Sequence, residues 1–161
     1  MRRRFPWATG PLLFALLGAL LFTGAGCRTA HWLPPADLQA PGWTVQPGQA
    51  VWKPSRSRPG LAGELLLATR TNGDLFVQFD KIPFPLATAQ ITGDEWQIRF
   101  GTGKYAWHGH GEPPARFVWF QLPHALAGEP LAAPWKFTRD GDAWRLENRH
   151  TGESLEGSLA P

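Results

Sequence analysis

The sequence predicts a mainly β fold: an antiparallel meander coiled into an open or half-closed barrel, with one short helix. Three observations predict it. Short runs alternate apolar and polar residues, turn dipeptides separate those runs at regular intervals, and a single segment breaks the two-residue period for a helical one. A sheet built this way must bury one face, and coiling around a short helix would do so.

The most secure element is a hairpin. Leu61, Gly63, Leu65, Leu67 and Thr69 alternate with Ala62, Glu64, Leu66, Ala68 and Arg70, the chain turns at Asn72-Gly73, and Leu75, Val77 and Phe79 resume on one face. Gly93-Asp94 predicts a second hairpin, joining Leu86–Thr92 to a strand that carries Trp96, Ile98 and Phe100. Just before it, the prolines of Ile82-Pro83-Phe84-Pro85 are expected to keep that link out of a central strand. A short strand follows over 104–108, with Tyr105 and Trp107 on one face. Asp140-Gly141 and Thr151-Gly152 then mark the turns among the last three strands, which carry Trp135 and Phe137, Trp144 and Leu146, and Leu155 and Leu159. Ala115, Val118, Trp119, Leu122 and Leu126 fall at helical spacing behind Pro114, and Pro123 would end or kink the helix. A short helix over 115–122 is favoured, with a buried strand as the competing reading.

The chain starts with Met1-Arg2-Arg3-Arg4, continues through an apolar run over 11–22, and reaches the small residues Gly24-Ala25-Gly26 before Cys27. These are the three parts of a secretory signal, and the apolar run is short of the roughly 20 residues of a membrane-spanning helix. Gly24-Ala25-Gly26-Cys27 resembles the bacterial lipobox, with Gly24 standing where leucine is usual. The resemblance implies a signal peptide over 1–26 and a diacylglyceryl thioether on Cys27 carrying fatty acyl chains such as palmitate. It implies a mature protein held on the membrane without crossing it. Arg28 at the second mature position points, by the sorting rule of such lipoproteins, to the outer membrane facing the periplasm. Cys27 is the only cysteine, so it has no disulfide partner.

Residues 27–48, with Pro34, Pro35, Pro41 and Pro47, read as the lipidated cysteine and a proline-rich tether; residues 49–161 read as the β-rich domain. The formal charge of +3 resides in Arg2, Arg3 and Arg4. Without the leader, 13 basic residues balance the 13 acidic ones. Lys53, Arg56 and Arg58 are the densest basic group left, too sparse for a nucleic-acid footprint.

No residue pattern supports catalysis. The Gly-x-Ser-x-Gly elbow, phosphate loop and dinucleotide fingerprint are missing, and Asp94-Glu95 and Asp140/Asp142 sit at turns, where acids make local hydrogen bonds. His108 and His110 would share a strand face, with Glu112 nearby. Without a second such pair, exposed imidazoles are the better reading than a metal site. No cofactor is expected.

Architecture and membrane class together resemble the lipoprotein-localisation proteins of the LolA/LolB-like fold, over about residues 43–161. That family's half-barrel holds acyl chains, which implies a lipid or other hydrophobic ligand in a hollow lined by residues such as Phe79, Ile98, Trp107 and Trp119. The alternative is an assembly lipoprotein with a filled core, whose aromatic patch or sheet edge docks an envelope protein.

Overall fold

A computed structural model of the chain describes residues 32–160. The leader, Cys27 and the residues up to His31 lie outside that range. Nine strands follow in order: β1 (Thr44–Lys53), β2 (Leu61–Thr69), β3 (Leu75–Lys81), β4 (Phe84–Thr92), β5 (Glu95–Phe100), β6 (Tyr105–His110), β7 (Trp135–Asp140), β8 (Ala143–Asn148) and β9 (Ser154–Leu159). Helix α1 (Val118–Leu126) lies in the connection between β6 and β7. All neighbours pair antiparallel, in the spatial order β6-β5-β4-β3-β2-β1-β9-β8-β7. The chain therefore meanders outward from β1, crosses with the helix, and meanders back to β1. The sheet stays open between β6 and β7.

Alternation sets the two faces as expected. Leu65 and Leu67, Val77 and Phe79, Ala87 and Ala89, Trp96 and Ile98, Trp144 and Leu146, and Leu155 all enter one core with α1. At the middle of the sheet, Ala50 pairs with Gly63 on one side and Gly157 on the other. A Cβ at Gly63 would stand 2.3 Å from the Asp80 carbonyl oxygen, and one at Gly157 would stand 2.1 Å from that of Gln49. Strand backbones approach there more closely than side chains permit, which lets the sheet coil around the helix.

The turns follow their residues, with one refinement. At Asn72-Gly73 only Gly73 takes a positive φ, of 92°. Asn72 works through its side chain instead, accepting the Asp74 N–H at 3.1 Å and donating to the Asp74 carboxylate at 3.0 Å. Gly93-Asp94 and Gly141-Asp142 form two-residue turns between Thr92 and Glu95 and between Asp140 and Ala143, with the glycine first in each and at positive φ.

Four boundaries differ from the sequence reading, the smallest at β6, which spans Tyr105–His110 instead of 104–108. Helix α1 starts at Val118, not at 115, and runs through Pro123 to Leu126. Pro114 opens only a turn, its carbonyl accepting the Phe117 N–H at 3.2 Å. Pro123 removes one helical bond, but Ala127 donates to the Pro123 carbonyl at 2.9 Å. Gly128 and Glu129 close the helix onto Ala125 and His124. Burial of Val118, Trp119, Phe120, Leu122 and Ala125 holds the element together across the missing bond.

Second, Phe84 and Pro85 belong to β4, paired with Lys81 and Asp80, past a bulge at Phe79/Asp80. β5 begins pairing with β4 only at Ala87, so no neighbour asks Pro85 for an N–H on that side.

Third, β1 starts at Thr44, so residues 44–48, read as the end of the tether, are strand. Pro47 is tolerated because its carbonyl accepts the Ala160 N–H at 2.7 Å. Its missing N–H thus points past the end of β9. Residues 32–43 also lie against the domain, as described below. Among the described residues no helix is long and apolar enough to cross a membrane.

Candidate functional site

The expected ligand hollow would lie between α1 and the concave face of the sheet. Alternation brings Phe79, Ile98 and Trp107 to that face, and α1 supplies Trp119. Phe79 and Ile98 are fully buried, and Trp119 is 1% exposed. The Trp119 ring lies 5.4 Å from Phe79 and 5.3 Å from Trp52, centroid to centroid. Phe120 packs edge-on against Trp96 at 5.9 Å. Aromatic rings at these separations are in contact, so these residues form a packed core instead of lining a hollow.

Trp107 differs because β6 is the last strand on its side. It rests against Phe117 at 5.6 Å and Phe100 at 6.0 Å, yet stays 40% exposed. A recess of about 310 Å³ lies past the C-terminal end of α1, lined by Leu126, Trp144 and Leu159 with Gln46, Arg139 and Asp142.

The outer face of the sheet carries the feature the sequence concealed. Gln90 and Gln97 occupy positions that alternation assigns to solvent, yet both are buried. Gln97 accepts the Leu33 N–H at 3.1 Å and donates to the Leu33 carbonyl at 3.3 Å, in the pattern of one strand rung. Its amide also donates to Gln90, whose own amide donates to the Pro34 carbonyl at 3.1 Å. Leu33 is buried by this clamp. Trp32 meets His108 edge-on at 4.9 Å with the Arg99 guanidinium 5.8 Å from its ring, and Trp43 stacks under Arg70 at 4.5 Å. The segment from Trp32 to Trp43 is thus a strap over β2–β5, covering Ala68 and Phe76. The signals in the sequence are Trp32, Leu33 and Trp43, large apolar residues set among prolines.

Two carboxyl groups depart from ordinary behaviour. Asp74 accepts the Gly93 N–H at 3.0 Å, which ties the β2–β3 turn to the β4–β5 turn. That bond, with Asn72 and Arg70 beside it and against some burial, holds its pKa below the usual carboxylate range. Glu153, in the β8–β9 turn, is pushed up to about 7 by burial, partly offset by the Trp52 indole N–H that it accepts at 3.0 Å.

Other polar groups serve the surface. Arg145 on β8 bonds both Glu147 at 3.3 Å and Glu156 on the outer face. His110 faces Asp94 and Glu95 at 3.8 and 3.9 Å, apart from His108 on Trp32. Among the described residues no three His, Cys, Asp or Glu side chains gather as metal ligands. Compared with known proteins, the chain matches no family model and no curated protein significantly.

Proposed function

We propose that this protein is a lipoprotein of the cell envelope, anchored through Cys27, whose rigid half-barrel serves as a docking module for a partner protein. The observation that carries the docking part is Trp119. The side chain in the place where a ligand would lie is wedged between Phe79 and Trp52, so the concave face is already occupied. Recognition then falls to the outer surface. Among the described residues the open sheet leaves two edges unpaired, β6 and β7, and β6 carries the half-exposed Trp107. Free strand edges and aromatic side chains are the elements by which sheets add a partner's strand. The anchor rests on the small-residue run before a lone cysteine.

Native mass spectrometry of the intact lipoprotein, released in mild detergent, tests the choice between docking and ligand carriage. The expected spectrum shows the covalent anchor and no further lipid. A stoichiometric lipid lost on denaturation would overturn the docking reading in favour of a carrier. Photo-crosslinkers placed at Trp107 on β6 and at Lys136 on β7 should capture one defined envelope protein, while crosslinkers at Gln49 on the mid-sheet outer face should not.

A further inference from the structure

An antiparallel meander sends its turns alternately to two ends, and here the ends differ in charge and polarity. At one end lie the β1–β2, β3–β4, β5–β6 and β8–β9 turns, with Lys53, Arg56, Arg58, Lys81, Lys104 and Arg149 in or beside them. Their one carboxyl is that of Glu153, turned inward to Trp52. Asp80, beside Lys81, is set back on the strand and accepts from Gln78 at 2.6 Å. At the other end, Asp74, Asp94, Glu95, Asp140 and Asp142 stand in or beside the β2–β3, β4–β5 and β7–β8 turns and outnumber two arginines, Arg70, bridged to Asp74 at 3.6 Å, and Arg139, which donates to the Gly141 carbonyl at 3.2 Å. A mature chain with balanced charge is therefore polarised along its strands.

The basic end also carries the most exposed apolar side chains. Ile82 is 71% exposed, Phe84 64% and Tyr105 58%. Lys81 adjoins the first two, and Lys104 reaches over the Tyr105 ring at 5.7 Å. Apolar tips ringed by lysine and arginine match the interface of an anionic leaflet, where the rings enter the headgroup layer and the cations meet phosphates.

The strap points the same way. Trp32 is held between Arg99 and His108, so it sits between the Arg99–Ala106 rung, next to the terminal Phe100–Tyr105 rung at the basic end, and the Gln97–His108 rung two further in. Cys27 precedes Trp32 by five residues, and a fully extended chain of that length spans at most about 18 Å. The clamp on Leu33 thus fixes where a short leash leaves the domain.

We propose that the basic end, with Ile82, Phe84 and Tyr105 at its tips, is a membrane-docking surface that rests on an anionic phospholipid leaflet. The leash part of the argument rests on the lipidation of Cys27. The acidic end and the β7 edge then face away, toward a partner.

The test uses the full-length lipoprotein in vesicles of phosphatidylethanolamine and phosphatidylglycerol. An environment-sensitive fluorophore is attached at Phe84→Cys or, at the acidic end, at Asp142→Cys, and intact mass reports the state of Cys27. The expected result is a blue-shifted probe at position 84 that nitroxide lipids quench, and an aqueous probe at 142. Quenching at 84 should fall several-fold when phosphatidylcholine replaces phosphatidylglycerol. A lipidated protein whose probe at 84 is as aqueous as that at 142 overturns the docking surface and leaves the anchor standing. So does a blue shift that bilayer nitroxides do not quench, which would place a protein on that surface. An unmodified Cys27 thiol refutes the anchor instead. Co-sedimentation of that unanchored chain with phosphatidylglycerol vesicles would then support the surface, and its absence would overturn it.

Discussion

Glu153 offers a sharp test of the energetics at the basic end. Its carboxyl accepts the Trp52 indole N–H, and burial raises its pKa from 4.5 to about 7. A folded-state pKa above the unfolded one means that the folded chain keeps a proton the unfolded chain gives up. The stabilisation is fully present below about pH 4.5 and is lost as pH rises through about 7. One pKa unit corresponds to about 1.36 kcal/mol, so the shift to about 7 sets a ceiling near 3 kcal/mol. Partial access of this turn to water reduces the expected effect to about 1.5 kcal/mol. Urea unfolding at pH 5, 6, 7 and 8 should therefore show stability falling by roughly that amount across the series. Glu153→Gln keeps an oxygen for Trp52 and cannot ionise. Its profile subtracted from the parent's removes every other titrating group and should leave this slope alone. The variant should be the more stable protein at pH 8. A parallel decline in both proteins, or a variant less stable at pH 8, would refute the assignment of a neutral carboxyl to this turn.

Four further substitutions test the packing. Trp119→Ala should cost about 3–5 kcal/mol in thermal or denaturant unfolding, and a loss below about 1 kcal/mol would mean the concave face is not filled as described. Gln97→Ala strands the polar groups of Leu33 and Gln90 and should cost about 2 kcal/mol. Hydrogen exchange should show Leu33 losing protection while β1 and β9 keep theirs; unchanged exchange at Leu33 would count against the clamp. Gly157→Ala should cost more than about 3 kcal/mol or prevent folding, because its Cβ meets the Gln49 carbonyl of the adjacent strand. Gly128→Ala, at positive φ with open space around it, should cost only about 1 kcal/mol. A loss at Gly157 no larger than that at Gly128 would refute the close approach as the source of the demand at 157.

What was legible in the sequence is what local chemistry decides. Glycine-containing turns and alternation set the strands and their faces, since a strand's side chains can only alternate. Alternation sets Phe79, Ile98 and Trp107 on the concave side, yet whether that side is hollow depends on how far the helix carrying Trp119 descends onto the sheet. The start of α1 was misplaced because Pro114 favours a helix start equally well as a turn, and only burial of 118–125 decides between them. The strap was hidden for the opposite reason. Gln90 and Gln97 read as solvent-facing because alternation says nothing about what covers the outer face, and Leu33 lies 64 residues from Gln97. Glu153 left no trace in the sequence, because Trp52, which donates to it, lies 101 residues away.

The interior volume of this architecture is set by the helix more than by the strands. The sheet supplies small residues at Ala50, Ala87, Ala89, Gly63 and Gly157 on its concave side, which by themselves would leave room. Trp119, Phe117 and Phe120 on or beside one short helix fill that room and tie β1, β3 and β5 together. A helix of the same length with alanine at 119 would open a cavity on the scale of a small aromatic molecule, about 150 Å³, large enough to stay dry and take up apolar ligands. On the proposed reading, carriage and docking differ in how the aromatic side chains of this helix fill a shared frame, Trp119 foremost. The frame alone therefore cannot assign function, and Trp119 carries more weight in that assignment than the nine strands around it.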